Sequence, residues 1–103
     1  MSAAGEARWG TEVAFRLGPG RDDEARRAAA ALARAAEGCL RHVLFLNDAG
    51  EYGALAEWRT RAEAEGFAAR PAAAAALADL ASLLGRTPGV RVYRMEEMPP
   101  MGR

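Results

Sequence analysis

Lysine, isoleucine and glutamine are absent from this chain of 103 residues, and cysteine and histidine occur once each, as Cys39 and His42. These gaps exclude whole classes of chemistry. A lone cysteine builds no internal disulfide framework and no cysteine-based metal cluster. One histidine among scattered carboxylates does not make a transition-metal site either, so no metal site is expected. Charge of one sign is also missing. Fourteen basic residues, all arginine, balance fourteen acidic ones to a formal net charge of zero. No broad cationic field exists to hold a phosphate backbone, and nucleic acid is not an expected partner. No segment approaches the ~20 apolar residues of a membrane span. The opening MSAAGEARWG lacks the apolar core of a signal peptide. A cytoplasmic protein with no membrane contact is the expectation.

What is there reads as one domain, at a size where a partner chain often completes the core. Thr11–Leu17 places Val13, Phe15 and Leu17 on one side at period two, the pattern of a half-buried strand. Gly18-Pro19-Gly20 stops it. Asp22 or Asp23 then caps a helix that runs toward Gly38, with a stripe of small residues through Ala25, Ala29, Leu32 and Ala36. Cys39–Asn47 and Tyr52–Trp58 read as two strands joined by the three-residue link Asp48-Ala49-Gly50. Thr60 and Glu63 have the spacing of a capping box, so the third strand runs directly into a helix, which breaks near Gly66. A further helix spans Pro71–Leu84, with proline in its first turn and Gly85 at its close. A fourth strand follows over Val90–Met95. The order β-α-β-β-α-β, its second helix broken, predicts an α+β, ferredoxin-like sandwich with a four-stranded antiparallel sheet and both helices on one face. Residues 1–10 are expected to form a flexible N-terminal segment, 11–97 the domain, and 98–103 a C-terminal tail.

A three-residue hairpin link pairs Asn47 with Glu51, and therefore Leu46 with Tyr52, Leu44 with Ala54, His42 with Ala56 and Leu40 with Trp58. These residues share the more apolar face, which should look toward the helices. A two-residue link would shift the register by one. The opposite face collects Arg41, Val43, Phe45 and Asn47 with Gly53, Leu55 and Glu57, too apolar at its centre to stand bare in water. A second copy of the chain is expected to cover it. On the helix side, large aromatics face the small residues Ala54 and Ala56, an arrangement that leaves room for a flat ligand or packs solid as core.

The central run, EGCLRHVLFLNDAGEYGALAEWRTRAEAEGF, resembles the antibiotic biosynthesis monooxygenase family: a helix, a glycine, a strand, a short acidic turn, a strand ending in Trp58, then Arg59-Thr60 opening a helix with Glu63, Ala64 and Phe67. The resemblance covers about residues 11–97. It implies a homodimeric α+β barrel with a pocket in each subunit between sheet and helices. In the quinone-forming members of that family, a phenolic or anthrone-like aromatic reacts with molecular oxygen without metal or prosthetic group. Trp58 matches the family's strand-end tryptophan. The haem-degrading branch uses an asparagine on its first strand and a histidine on the later helix. TEVAFRL carries no asparagine and Arg61–Leu84 carries no histidine, so that chemistry is not expected here.

The resulting expectation is a cofactor-independent monooxygenase taking a phenolic or polycyclic aromatic substrate and molecular oxygen. His42 would be the base, Trp58 would shape the pocket and Tyr52 would donate a hydrogen bond. Phe15, Leu44, Phe67, Leu77 and Arg94 would bind the substrate. The roles of His42 and Tyr52 come from the strand register rather than from a family motif. The alternative from another class is a non-catalytic dimeric module that binds a small ligand or is purely structural. The shortage of titratable side chains in the expected pocket favours it.

Overall fold

The computed structural model describes residues 7–100. Four strands and three α-helices follow in the order β1 (Arg8–Arg16), α1 (Asp22–Ala35), β2 (Arg41–Leu46), β3 (Glu51–Trp58), α2 (Arg61–Gly66), α3 (Pro71–Leu84) and β4 (Val90–Met95), with a single 3-10 turn over Phe67–Ala69 between α2 and α3. The strands form one antiparallel sheet in the order β2-β3-β1-β4. Helices cover one side. This is the ferredoxin-like α+β arrangement expected from the element order.

The hairpin register is also the expected one. Leu46 faces Tyr52, Leu44 faces Ala54 and His42 faces Ala56, and the strand pairing closes at Arg41 with Glu57. Leu40, just beyond the strand, still donates its amide to the Glu57 carbonyl at 2.7 Å. The three-residue link works because the Asn47 side-chain oxygen accepts from the amides of Ala49 and Glu51, at 2.9 and 3.0 Å, and because Gly50 takes a φ of 84° that a side chain would strain. The third strand passes into α2 through the expected capping box: the Thr60 hydroxyl accepts from the Glu63 amide at 3.1 Å and the Glu63 carboxylate accepts from the Thr60 amide at 3.2 Å. α3 starts on Pro71 and closes on Gly85 in the left-handed region, both as expected.

Two local expectations change. Neither Asp22 nor Asp23 caps α1. Arg21 occupies the cap position without a side-chain cap bond, and Asp22 is the first helical residue. Its carboxylate accepts from Arg26 and from the Tyr52 hydroxyl instead, each at 2.7 Å. β1 begins at Arg8, so Arg8–Gly10, expected in the flexible segment 1–10, are strand. Gly10 is buried there, and an added Cβ would come within 2.7 Å of the Met95 sulfur and 3.1 Å of Leu55 Cδ1. The glycine marks a close approach of side chains rather than a turn. Residues 1–6 and 101–103 of the expected terminal segments lie outside the described residues.

The core lies between the sheet and the helices. Val13, Phe15, Tyr52, Ala54, Ala56 and Trp58 from the strands meet Ala25, Leu32, Ala35, Phe67, Ala73 and Leu80 from the helical side. Small residues on α1 and α3 bring those helices close to each other and α1 close to β3, and the bulky strand residues fill what remains.

Candidate functional site

The helix-facing side of the sheet can be read as rows running across it: Leu46–Tyr52–Phe15, Leu44–Ala54–Val13–Val90, His42–Ala56–Thr11–Val92, and Trp58–Trp9–Arg94. These rows fix where each expected site residue stands.

Trp58 is at 0% exposure and Phe67 at 2%. Their rings lie 5.8 Å apart at 47°, and the Trp58 indole N–H donates to the Thr11 hydroxyl at 3.1 Å. The Arg70 guanidinium closes the other side, 4.7 Å from the Trp58 ring centroid, while donating to the carbonyls of Ala35 and Glu37. A ring with no accessible surface borders no space large enough for a water molecule. The space expected beneath Trp58 for a flat ligand is therefore filled by Trp58 itself. Phe67 and the half-buried Leu77 pack in the same core.

Tyr52 and Phe15 stack, with ring centroids 5.4 Å apart and planes 13° from parallel. The Tyr52 phenol is already a donor, to Asp22. That bond, with burial and the carboxylate's charge added to it, raises the phenol's pKa, and the hydrogen bond from Arg26, followed by the one from Tyr52, lowers that of Asp22. The pair thus stays phenol and carboxylate. What Tyr52 retains for a ligand is its oxygen lone pair.

His42 stands on the helix side of the edge strand β2, half-buried, with Leu44 following it on the same face. Burial lowers its pKa, so it is a neutral imidazole at pH 7 and able to accept a proton. The helices cover β3 fully but β2 incompletely: on this side His42 and Leu44 are half-buried and Leu46 is 52% exposed. A strip five residues long, about 13 Å from end to end, therefore runs from His42 over Leu44 to Leu46, which pairs with Tyr52, the partner of Asp22.

The expected residues thus separate into three places. His42 and Leu44 lie along this strip, Tyr52 pairs with its Leu46 end and carries Phe15 stacked on its far side, and Trp58, Phe67 and Leu77 are core. Arg94 is on the far edge, three strand spacings or about 14 Å from the edge that carries His42, with its guanidinium paired to Glu96 at 3.0 Å. Asp22 and Arg26 are the site residues that sequence reasoning missed. Asp22 was legible only as a helix-start residue, and its link to Tyr52 spans 30 positions. Cys39 is half-buried and burial raises its thiol pKa, which keeps it protonated. Among the described residues no group of three or more His, Cys, Asp and Glu is placed to hold a metal ion, and no single helix is long and apolar enough to cross a membrane.

The sequence model of the antibiotic biosynthesis monooxygenase family matches residues 11–79. The chain belongs to this family. Solved structures agree on the fold: a Mycobacterium tuberculosis protein, 21% identical over 93% of this chain and 97% of its own, superposes with a TM-score of 0.64. A conserved protein from Methanosarcina mazei, 14% identical over 90% of this chain and 96% of its own, superposes with a TM-score of 0.69. A structure described as an antibiotic biosynthesis monooxygenase, 18% identical over 88% of this chain and 99% of its own, gives 0.63. At these identities the likeness is one of fold. The sequence matches no curated protein.

Proposed function

We propose that this family member is a cofactor-independent monooxygenase acting on a phenolic or polycyclic aromatic small molecule, and that the substrate lies along the β2 strip. One observation carries the reading: a half-buried histidine, its pKa lowered by burial, stands at one end of an apolar strip, and Tyr52, hydrogen-bonded to Asp22, pairs with Leu46 at the other. The strip's length suits a linear polycycle. Leu44 and Leu46 offer the apolar bed, His42 takes the phenolic proton, and the phenolate so formed is electron-rich enough to react with oxygen directly. For an anthrone-type CH2, the balance is CH2 + O2 → C=O + H2O. The carbon is oxidised, one oxygen atom enters it, and the other leaves as water with the two hydrogens. The protein's part is proton transfer and exclusion of water.

A second copy of the chain completes the molecule in this proposal. The sheet's outer face presents Val43, Leu55, Met95, and the exposed Phe45 and Tyr93, an apolar surface that association would remove from water. Fully buried Trp58 favours a second reading, a dimeric module without chemistry. The two readings part on oxygen uptake against a panel of anthrones, quinols and naphthols. The oxygenase reading expects uptake without added cofactor, a kcat/KM that falls as His42 is protonated, and loss of turnover in folded His42→Gln. Uptake insensitive to that substitution would remove His42 from the reaction. Silence across the panel would favour the module.

A further inference from the structure

The strands β1 and β4 do not end together. β4 begins at Val90, opposite Val13, whereas β1 continues to Arg16 with β3 beside it as far as Glu51. Ala14–Arg16 therefore have a neighbouring strand on one side only, and the connection from α3 to β4 runs past the vacant side. The result is a notch of about 410 Å³ lined by Phe15, Arg16, Glu51, Arg86, Gly89 and Arg91 among others. The Phe15 ring is buried on the helix side, so this residue offers backbone to the notch. An edge segment carries unpaired backbone donors and acceptors, and here they border a concave surface.

Three guanidinium groups meet one carboxylate in this notch, in a chain whose charges otherwise cancel. Arg16 is partly spoken for. It donates to the Ala49 carbonyl and lies 3.8 Å from the Glu51 carboxylate. Among the described residues Arg86 and Arg91 form no ion pair. Glu12, the acid across the strand from Arg91, accepts from the Tyr93 hydroxyl at 2.9 Å. Arg86, without an ion pair, and Arg91, which has the Tyr93 hydroxyl and the Glu12 charge beside it, thus flank a cavity that its own chain leaves open.

We infer that this notch binds a small organic anion, a carboxylate or a phosphate ester, gripped by Arg86 and Arg91. The planar guanidinium fork matches both anionic groups, and the cavity leaves room beside them for an organic body resting on the β1 edge. Arg16 and Glu51 form the far wall and supply hydrogen bonds to that body. The notch opens on the outer side of the sheet, in the row that leads from Phe45 over Gly53 to Ala14, and it takes an anion where the proposed association leaves the end of β1 uncovered; it does not depend on the oxygenase reading.

Isothermal titration of the full-length protein at low salt, with phenyl phosphate, inorganic phosphate and citrate as probes, tests it. Saturable binding is expected, weakened about tenfold by Arg86→Ala and by Arg91→Ala with the melting temperature unchanged. Arg59→Ala, an exposed arginine elsewhere, should leave affinity as it was. Gly89→Asp gives an independent variant. An added Cβ there meets nothing within 4 Å, so the fold should hold while the new carboxylate opposes the anion. Tighter binding of phenyl phosphate than of citrate would mark a phosphate site, and the reverse order a carboxylate site. The proposal is overturned by absence of saturable binding at millimolar probe, or by affinities that ignore the Arg86 and Arg91 substitutions. It is equally overturned if these substitutions alter only the oligomeric state, which would make the notch a contact between subunits.

Discussion

The two faces of one sheet have opposite characters. On the helix side Trp58 is 0% exposed and Val13 2%, while on the outer side Phe45 is 45% exposed and Tyr93 39%. The same strands supply both sets. The difference lies in what the chain has available to cover them: α1, α2 and α3 all pack on one side, and no described element remains for the other. Phe45 responds by lying over Gly53, where an added Cβ would overlap its ring. A glycine that gives up side-chain packing so that an aromatic can lie flat flattens the surface around it. β2 shows the difference within a single strand, since at the sheet edge even its helix side is only half covered. Chemistry is therefore best sought at this edge, because the centre of the core is full.

Changes at four residues would sharpen or break this contrast. Trp58→Ala should cost the most, about 3–5 kcal/mol in chemical unfolding, because it empties a site where the ring has no accessible surface. Trp58→Phe should cost less but leave the Thr11 hydroxyl without its partner. A loss below about 1 kcal/mol for Trp58→Ala would mean the ring lines a space after all. Arg70→Ala should cost about 2 kcal/mol, since it removes two hydrogen bonds to carbonyls at the end of α1 and the cation over Trp58; a neutral outcome would show that the core closes without this clasp.

On the outer face, Phe45→Glu should change the unfolding free energy of the single chain by less than about 1 kcal/mol and yet abolish the proposed dimer in sedimentation. A substitution that unfolds the chain without touching assembly would reverse the assignment of faces. His42 should give the smallest effect. Burial holds its folded pKa below the ordinary value, so the folded state binds fewer protons than the unfolded state as that range is crossed. Its contribution is then complete above about pH 6.5 and is lost as pH falls through the depressed folded value. Between about pH 8 and pH 5 the melting temperature of the wild type should fall more than that of His42→Gln. Parallel curves would mean that His42 is freely hydrated.

Much of the fold was legible because its signals are local. Alternation set the strands, Thr60 and Glu63 set the start of α2, and Pro71 and Gly85 bounded α3; the register of β2 on β3 hung on whether the Asp48–Gly50 link has three residues or two, and the structure has the three-residue form. The failures share a cause, which is that the deciding partner is far away in sequence. Gly10 read as the end of a flexible segment because nothing nearby reveals that Met95 and Leu55 close over it. Asp22 read as a cap because its competing partner, Tyr52, is 30 positions on. The site was legible as a face but not as a depth. The register put Trp58, Tyr52 and His42 on one side of the sheet, but how far α1 and α3 approach depends on their alanines and on Arg70. That approach fills the space at Trp58 and leaves His42 half open. Arg94 shares the face with His42 yet stands on the far edge, a separation that only the strand order β2-β3-β1-β4 discloses.

The most direct test of this account compares oxygen uptake by wild type, His42→Gln and Trp58→Phe on one anthrone substrate, each protein first shown to be folded. The account predicts that His42→Gln is silent while Trp58→Phe keeps most of its turnover, because the chemistry lies on the β2 strip and Trp58 is core. Silence of Trp58→Phe beside an active His42→Gln would contradict it and place the reaction beneath the tryptophan.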